Sequence, residues 1–489
     1  MKKLTRLLSA LLAVAVLVSS CAGCGSKTDG STSASQGNTA AAPAQTKELV
    51  WWMIGPEPKD LAAVNAKVNE YTKSKLNVTV KFKYANWGDY SKKLTTVIQS
   101  GEKYDIAFGT SINNYIDLAR KHYFADLSDP LKSNATALYK YIPSDLWVAM
   151  TLNNKIFGVP AYKDSSKSMY WVWDKNTVSK LNIKYDTINT LQDMEPVLKS
   201  IKAQDPGKYP LALSSDGLGQ DALLYNYDMI LNEPNLCVRL DDKGAKVVDG
   251  FSQPDVMDEL KALSGYMKKG YINPDAATTQ ETPKFQAVFP AQGFVGADAD
   301  WATQKGYSVV SHKYSGPYYS TGSIQGSFLV VSAGSANINE SVKLIELVNT
   351  DAYLRNLIAF GIEGKNYNKT GPNTIKVLND GYQTAAYSQG TFFNMYAVDP
   401  APSNKWQLVK QQNEQAKASP ILGFNFDSTK VSPQIAACKT IFEKYYSNLM
   451  TGSVDPTVEV PKMENELNNA GYQAIIKEAQ DQINAYLKK

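Results

Sequence analysis

From Glu48 onward, apolar and polar positions fall into register with regular structure. The run ELVWWMIG, closed by Gly55 and Pro56, is apolar along its centre and reads as a buried strand. Leu61, Val64, Val68 and Tyr71 recur at helical spacing and give one apolar stripe on an amphipathic helix. Val78, Val80, Phe82 and Tyr84 alternate with Thr79, Lys81 and Lys83, the period of a half-buried strand. A second helix carries Tyr90, Leu94, Val97 and Ile98 on one face, stops at Gly101, and leads into a strand at YDIAFG, Tyr104 to Gly109. This order is that of a right-handed α/β unit on a parallel sheet. Ligands of such sheets lie beyond the carboxyl ends of the strands.

Farther along, KIFGVP (Lys155 to Pro160), MYWVWDK (Met169 to Lys175), GFVGADADW (Gly293 to Trp301) and SFLVVSAG (Ser327 to Gly334) read as strands. Leu191, Met194, Val197 and Leu198 predict a helix from about Thr190 to Ala203, ahead of the turn DPGKYP; Val342, Leu344, Ile345 and Val348 predict another. The C-terminal region is helical, marked by Ile435, Ile441, Phe442 and Tyr445 and then by Ile475, Ile476, Ala479 and Ile483. No internal repeat is present. The fold class is α/β, and about 440 residues beyond the N-terminal region are too many for one comfortable core, which predicts two lobes.

The first 46 residues follow a different pattern. Lys2, Lys3 and Arg6 precede a short apolar core, Leu7 to Val18, and small residues follow, the architecture of a signal peptide over residues 1–20. That core is too short for a permanent span, which needs about 20 residues. Val18-Ser19-Ser20-Cys21 resembles the lipobox of bacterial lipoproteins, in which the Cys carries a diacylglycerol on its sulfur. The resemblance makes Cys21 the lipid anchor, with Cys24 as the competing site. Residues 21–46, rich in Ser, Thr, Gly and Ala, have little to bury and read as a flexible tether.

Charge changes the picture by exclusion. The chain has 51 Lys and Arg against 47 Asp and Glu, and Lys2, Lys3 and Arg6 belong to the signal segment. A near-neutral domain lacks the footprint of a nucleic-acid binder. The 29 Tyr and 8 Trp supply flat apolar faces with one polar edge, suited to stacking on sugars or, equally, to filling a large core. Cys237 and Cys438 read as small buried hydrophobes rather than a bridge. With His122 and His312 the only histidines, the chain argues against a His-based metal site, and no cofactor is called for.

Taken in order, the lipobox, the opening strand and helix, SGEKYDIAF, KIFGVP followed by WVWDK, and GFVGADADW followed by SFLVVSAGSANINESVKLIELV resemble family 1 extracellular solute-binding proteins of bacterial ABC importers. GIEGKNY, SPILGFNFDSTKV, YYSNLMTGSVDP and LNNAGYQAIIKEAQDQINAYL are similar to the helical ending of a mostly Gram-positive lipoprotein subgroup assigned to oligosaccharide uptake. The resemblance implies a periplasmic-binding-protein-like fold of two α/β lobes that close by a hinge. The first lobe would hold residues 47–162 and 326–349, the second residues 174–309 and 355–489, with a crossing between Pro160 and Asp174. It implies a monomer, lipid-anchored on the outer face of the cytoplasmic membrane, that delivers an oligosaccharide to ABC permease subunits.

Candidate ligand residues follow. The resemblance implies an aromatic in the cleft at Trp301. Trp52 ends the first strand, and Trp87 sits in a loop before a helix start capped by Asp89. Tyr162 and Trp173 flank the crossing, Trp173 sharing a face with Trp171. Asp164, Asp298, Asp300 and Glu363 are the carboxylates nearest strand ends or matched motifs, able to accept from paired sugar hydroxyls. Packing is the alternative for each, and Asp105 reads as structural. Gly361 and Gly364 mark a turn, since no Lys-Ser/Thr pair follows as a phosphate loop requires. On a strand, Asp298 and Asp300 would stand roughly 6–7 Å apart, within a glycosidase's range, but no glycosidase motif accompanies them. A peptide receptor is the remaining alternative.

Overall fold

The computed structural model describes residues 45–110 and 115–488. The signal segment, Cys21, Cys24 and the tether up to residue 44 lie outside the described residues. From Gln45 onward the contacts form one unit, built on two large hydrophobic cores.

The first core is organised by β1 (Lys47–Ile54), α1 (Leu61–Leu76), β2 (Val78–Ala85), α2 (Tyr90–Ser100) and β3 (Ile106–Gly109). β1 pairs in parallel with β2 along its whole length, Lys47 opposite Val78 and Ile54 opposite Ala85, and with β3 through Trp51 and Ile106. Asn77 and Gly101, both at positive φ, close the two helices. Asp105 ties the start of β3 down, accepting from the Val50 amide (2.8 Å) and the Ser335 hydroxyl (2.6 Å).

The sheet is mixed rather than wholly parallel. Phe328–Val331 runs antiparallel beside β3, and Val159–Pro160 runs antiparallel beside that strand. KIFGVP is therefore two elements: Lys155–Ile156 makes a hairpin with Thr151–Leu152, and only Val159–Pro160 reaches the sheet. At Gly158 between them a Cβ would displace the Met150 methyl (2.6 Å) and press on Phe328 (3.0 Å). Packing also divides the chain elsewhere than at residue 355. Leu354, Leu357 and Ile358, on the helix Ala352–Phe360, and Tyr382 belong to the first core, because that helix buries its apolar face there.

The second core lies against a sheet of order Val288–Gln292, Lys167–Asp174, Val309–Tyr319, Lys417–Ala418. Along Lys167–Asp174, Met169, Trp171 and Trp173 face the helices Leu191–Gln204 and Pro254–Lys268 and the C-terminal helices. Tyr170 and Val172 face the opposite side and pack with Trp301. A capping box of Thr190 and Asp193 starts the helix at the predicted position. The C-terminal helices Ser432–Met450, Pro456–Asn469 and Tyr472–Leu487 complete this core through Phe442, Leu467, Ile475 and Ile483. Cys237 and Cys438 are free and buried.

GFVGADADW is not a strand. The strand ends at Gln292, and Asp298–Lys305 is a helix. Gly293 admits the Trp301 ring so closely that an added Cβ would stand 2.3 Å from it, and Gly296 turns the chain at φ 88°. Asp298 and Asp300 then fall in the first turn of a helix, where carboxylates are favoured by the backbone dipole. No helix among the described residues is long and apolar enough to cross a membrane.

Candidate ligand-binding cleft

The register of the first sheet brings Gly109, the last residue of β3, and Gly55, Trp87 and Tyr162, which follow strand ends, to one edge, together with Ser327 just before the antiparallel strand. Trp87 is 52% exposed. It lies over Gly55, where a Cβ would be 3.3 Å from the ring, and stacks on Tyr387, which meets Phe108 edge-on. The Tyr387 carbonyl accepts from the Ser327 hydroxyl at 2.5 Å.

Arg355 fixes the segment that carries Tyr387. Its guanidinium is fully buried and donates to the carbonyls of Thr391 (2.7 Å) and Ala386 (2.8 Å) and to the Gln389 side chain (2.8 Å). Burial without a carboxylate partner pulls its pKa down to about 9. The segment then passes the crossing, where Phe393 meets Tyr162 edge-on at 4.5 Å. It continues to Phe392 and Trp406, 4.7 Å apart, and Trp406 lies 6.4 Å from Phe294. Lys405 holds both oxygens of Asp300 (3.0 and 2.9 Å), its ammonium 4.7 Å from the Trp406 ring centroid. Residues 386–406 thus carry an aromatic track from the first sheet to the loop after Gln292.

Two cavities adjoin the lobes. One of about 1170 Å³ opens between Arg120, Trp147 and Val148 of the first lobe and Phe424, Asn425 and Tyr486 of the C-terminal part. Arg120 stands 3.5 Å from the Asp427 carboxylate across it. The other, of about 560 Å³, is walled by Lys167, Asp221, Asp228, Asn232 and Gln292, and shares Phe424 and Asn425 with the first.

The residues singled out from sequence scatter around these features. Trp87 is on the track's exposed end. Tyr162 is at the crossing but buried. Asp164 lies beside it in an ion pair with Lys163 at 2.7 Å. Trp52 is 5% exposed, its ring flanked by the ammonium groups of Lys83 and Lys93, so it offers no face at the strand end. Trp173 has no exposed surface and belongs to the second core, where Trp171 stacks on Tyr314. Trp301 is 7% exposed and packs on Tyr170 behind Gly293, the packing alternative. Asp300 is engaged by Lys405, whereas one oxygen of Asp298 is buried with no partner among the described residues. Glu363 pairs with Lys369 at 3.0 Å beside a separate small pocket lined by Tyr353, Tyr367 and Tyr396.

Tyr387, Phe392, Lys405 and Trp406 escaped the sequence reasoning. The signal for the last three was the density of aromatics in TFFNMYAVDPAPSNKW, Thr391 to Trp406, a stretch with neither helical nor strand period; Tyr387 lies ahead of it.

A family model described as bacterial extracellular solute-binding protein matches residues 55–354, and one described as a domain of unknown function matches residues 420–488. A carbohydrate ABC transporter substrate-binding protein of Streptococcus pneumoniae serotype 4 is 28% identical over 504 residues, covering 100% of this chain and 99% of that one. The solved N-glycan transport solute binding protein from Streptococcus pneumoniae is similar with a TM-score of 0.83 at 26% identity, over 91% of this chain and 99% of its own. The same protein in complex with Man1GlcNAc gives 0.72 at 25% identity, over 91% and 100%. In complex with Man5GlcNAc it gives 0.68 at 26% identity, over 90% and 99%.

Proposed function

This chain belongs to the bacterial extracellular solute-binding protein family, and on that premise we propose that it binds an oligosaccharide between its lobes and delivers it to an ABC permease. The observation that carries the reading is the half-exposed Trp87 backed by Tyr387 at the strand ends. A sugar ring presents an apolar face and a hydroxyl edge, and a flat aromatic with one free side matches the former. Relatives named for carbohydrates and for N-glycans support the ligand class.

Two lobes joined by a hinge would close on a ligand that contacts both of them only in the closed form. Lipidation at Cys21 would keep the monomeric receptor near the permease at the outer membrane face. A hydrolase is disfavoured because Asp300, one of the two carboxylates considered for acid and base roles, is held by Lys405.

Titrating the purified protein with a panel of glycans while following Trp fluorescence tests the reading. Saturable, reversible change with glycans recovered intact by mass spectrometry is expected; shortened glycans, or no response to any glycan, would overturn it.

A further inference from the structure

We infer that the 560 Å³ cavity is an end subsite of the cleft, where the unpaired carboxylate oxygen of Asp228 accepts a hydroxyl of the terminal sugar. The inference rests on the carbohydrate reading above and deepens it. Asp228 lies on the strand Tyr227–Leu231 and is 5% exposed, yet its Oδ2 has no hydrogen-bond partner among the described residues. Buried carboxylate oxygens are nearly always paired, and Asp228, which lines this cavity, leaves one oxygen without a donor. The nearest cation does not fill this role, because Lys167 is ion-paired with Asp221.

The walls specify the donor. An ionised carboxylate only accepts, so the incoming group must carry an O–H or N–H. Asn232 and Gln292 add neutral amides to the same cavity, and Tyr318 and Phe424 add flat apolar walls. Amides and a carboxylate set among aromatic faces suit a neutral, hydroxyl-rich ring. The volume lies within the roughly 300–1,000 Å³ usual for small-molecule sites. Phe424 and Asn425 wall both this cavity and the larger one beside Arg120 and Trp147, so the two cavities adjoin.

Asp228→Asn keeps the size of the side chain and turns the unpaired acceptor into a donor. By calorimetry with Man5GlcNAc at pH 7.5, its Kd is expected to be about 10–100-fold weaker than that of the unaltered protein. Its Tm is expected to be equal or higher, since a buried carboxylate with one unpartnered oxygen, which burial already makes costly to ionise, has been replaced by a neutral amide. Gln292→Ala, on the same cavity wall, is expected to weaken Kd at least about threefold and guards against a variant that fails to accumulate. If the unaltered protein binds and both variants bind within twofold of it, the subsite is wrong and the carbohydrate reading stands. Loss of Tm with unchanged Kd would make Asp228 structural and equally overturn the subsite. Absence of binding by the unaltered protein to any glycan would remove the parent reading and the subsite together.

Discussion

Trp87 lies nearly flat on Tyr387, ring centroids 6.1 Å apart and planes 25° from parallel, joining the loop after β2 to a segment far away in sequence. About half of the Trp87 surface stays exposed beside that contact, and the stacking role proposed for it rests on this exposure.

Trp87→Ala is expected to weaken glycan binding about 10-fold or more, the scale of one aromatic contact plus its lost apolar area. Because the residue is half buried against Gly55 and Tyr387, folding stability should fall by about 1–2 kcal/mol, leaving the variant folded for the titration. Fluorescence titration and urea unfolding measure the two quantities separately. Normal affinity in this variant would remove the platform from the site.

Gly293→Ala tests why the chain turns into a helix after Gln292. A methyl group 2.3 Å from the Trp301 ring must push the ring or the helix aside, an overpacking cost of about 1–3 kcal/mol. The gain from a less flexible unfolded chain, about 0.4–1 kcal/mol, works in the opposite direction and is smaller. Urea unfolding should show net destabilisation, and near-UV circular dichroism should show the displaced Trp.

Glu259 gives a pH dependence of known sign. It is buried, accepts from the Leu191 amide at 3.0 Å, and burial pushes its pKa from 4.5 to about 7. The folded state therefore keeps a proton that the unfolded state releases between pH 4.5 and 7, and stability falls as pH rises through that window. Glu259→Gln removes this dependence. The Tm of the variant relative to the unaltered protein should climb from pH 4.5 to 7 and then level off, by a free energy on the order of 3 kcal/mol. A pH-independent difference would contradict the shift.

How much of this was legible depended on period. α1, β2 and α2 stand where apolar spacing put them, because each buries one face against a single neighbour. GFVGADADW was misread because an alternating run with two glycines is compatible with a strand until the Trp301 ring is seen to need Gly293. Trp52, Trp173 and Trp301 showed that a Trp near a strand end does not reveal which way it points; the cores took all three. Tyr387 and Trp406 depend on Arg355 and on contacts across the crossing, and no local pattern encodes those.

Replacing Cys21 with Ala should release the protein into the medium, whereas replacing Cys24 should leave it with the membrane. Fractionation followed by immunoblotting reads the difference. Membrane retention of the Cys21 variant would move the anchor elsewhere.

Small-angle scattering of the purified protein during titration with Man5GlcNAc tests the central claim most directly, because it reports binding and lobe closure in one experiment. The radius of gyration should fall to a plateau at saturation, with the glycan recovered at its original mass. An unchanged radius at saturating glycan, or a glycan shortened during the titration, would contradict it.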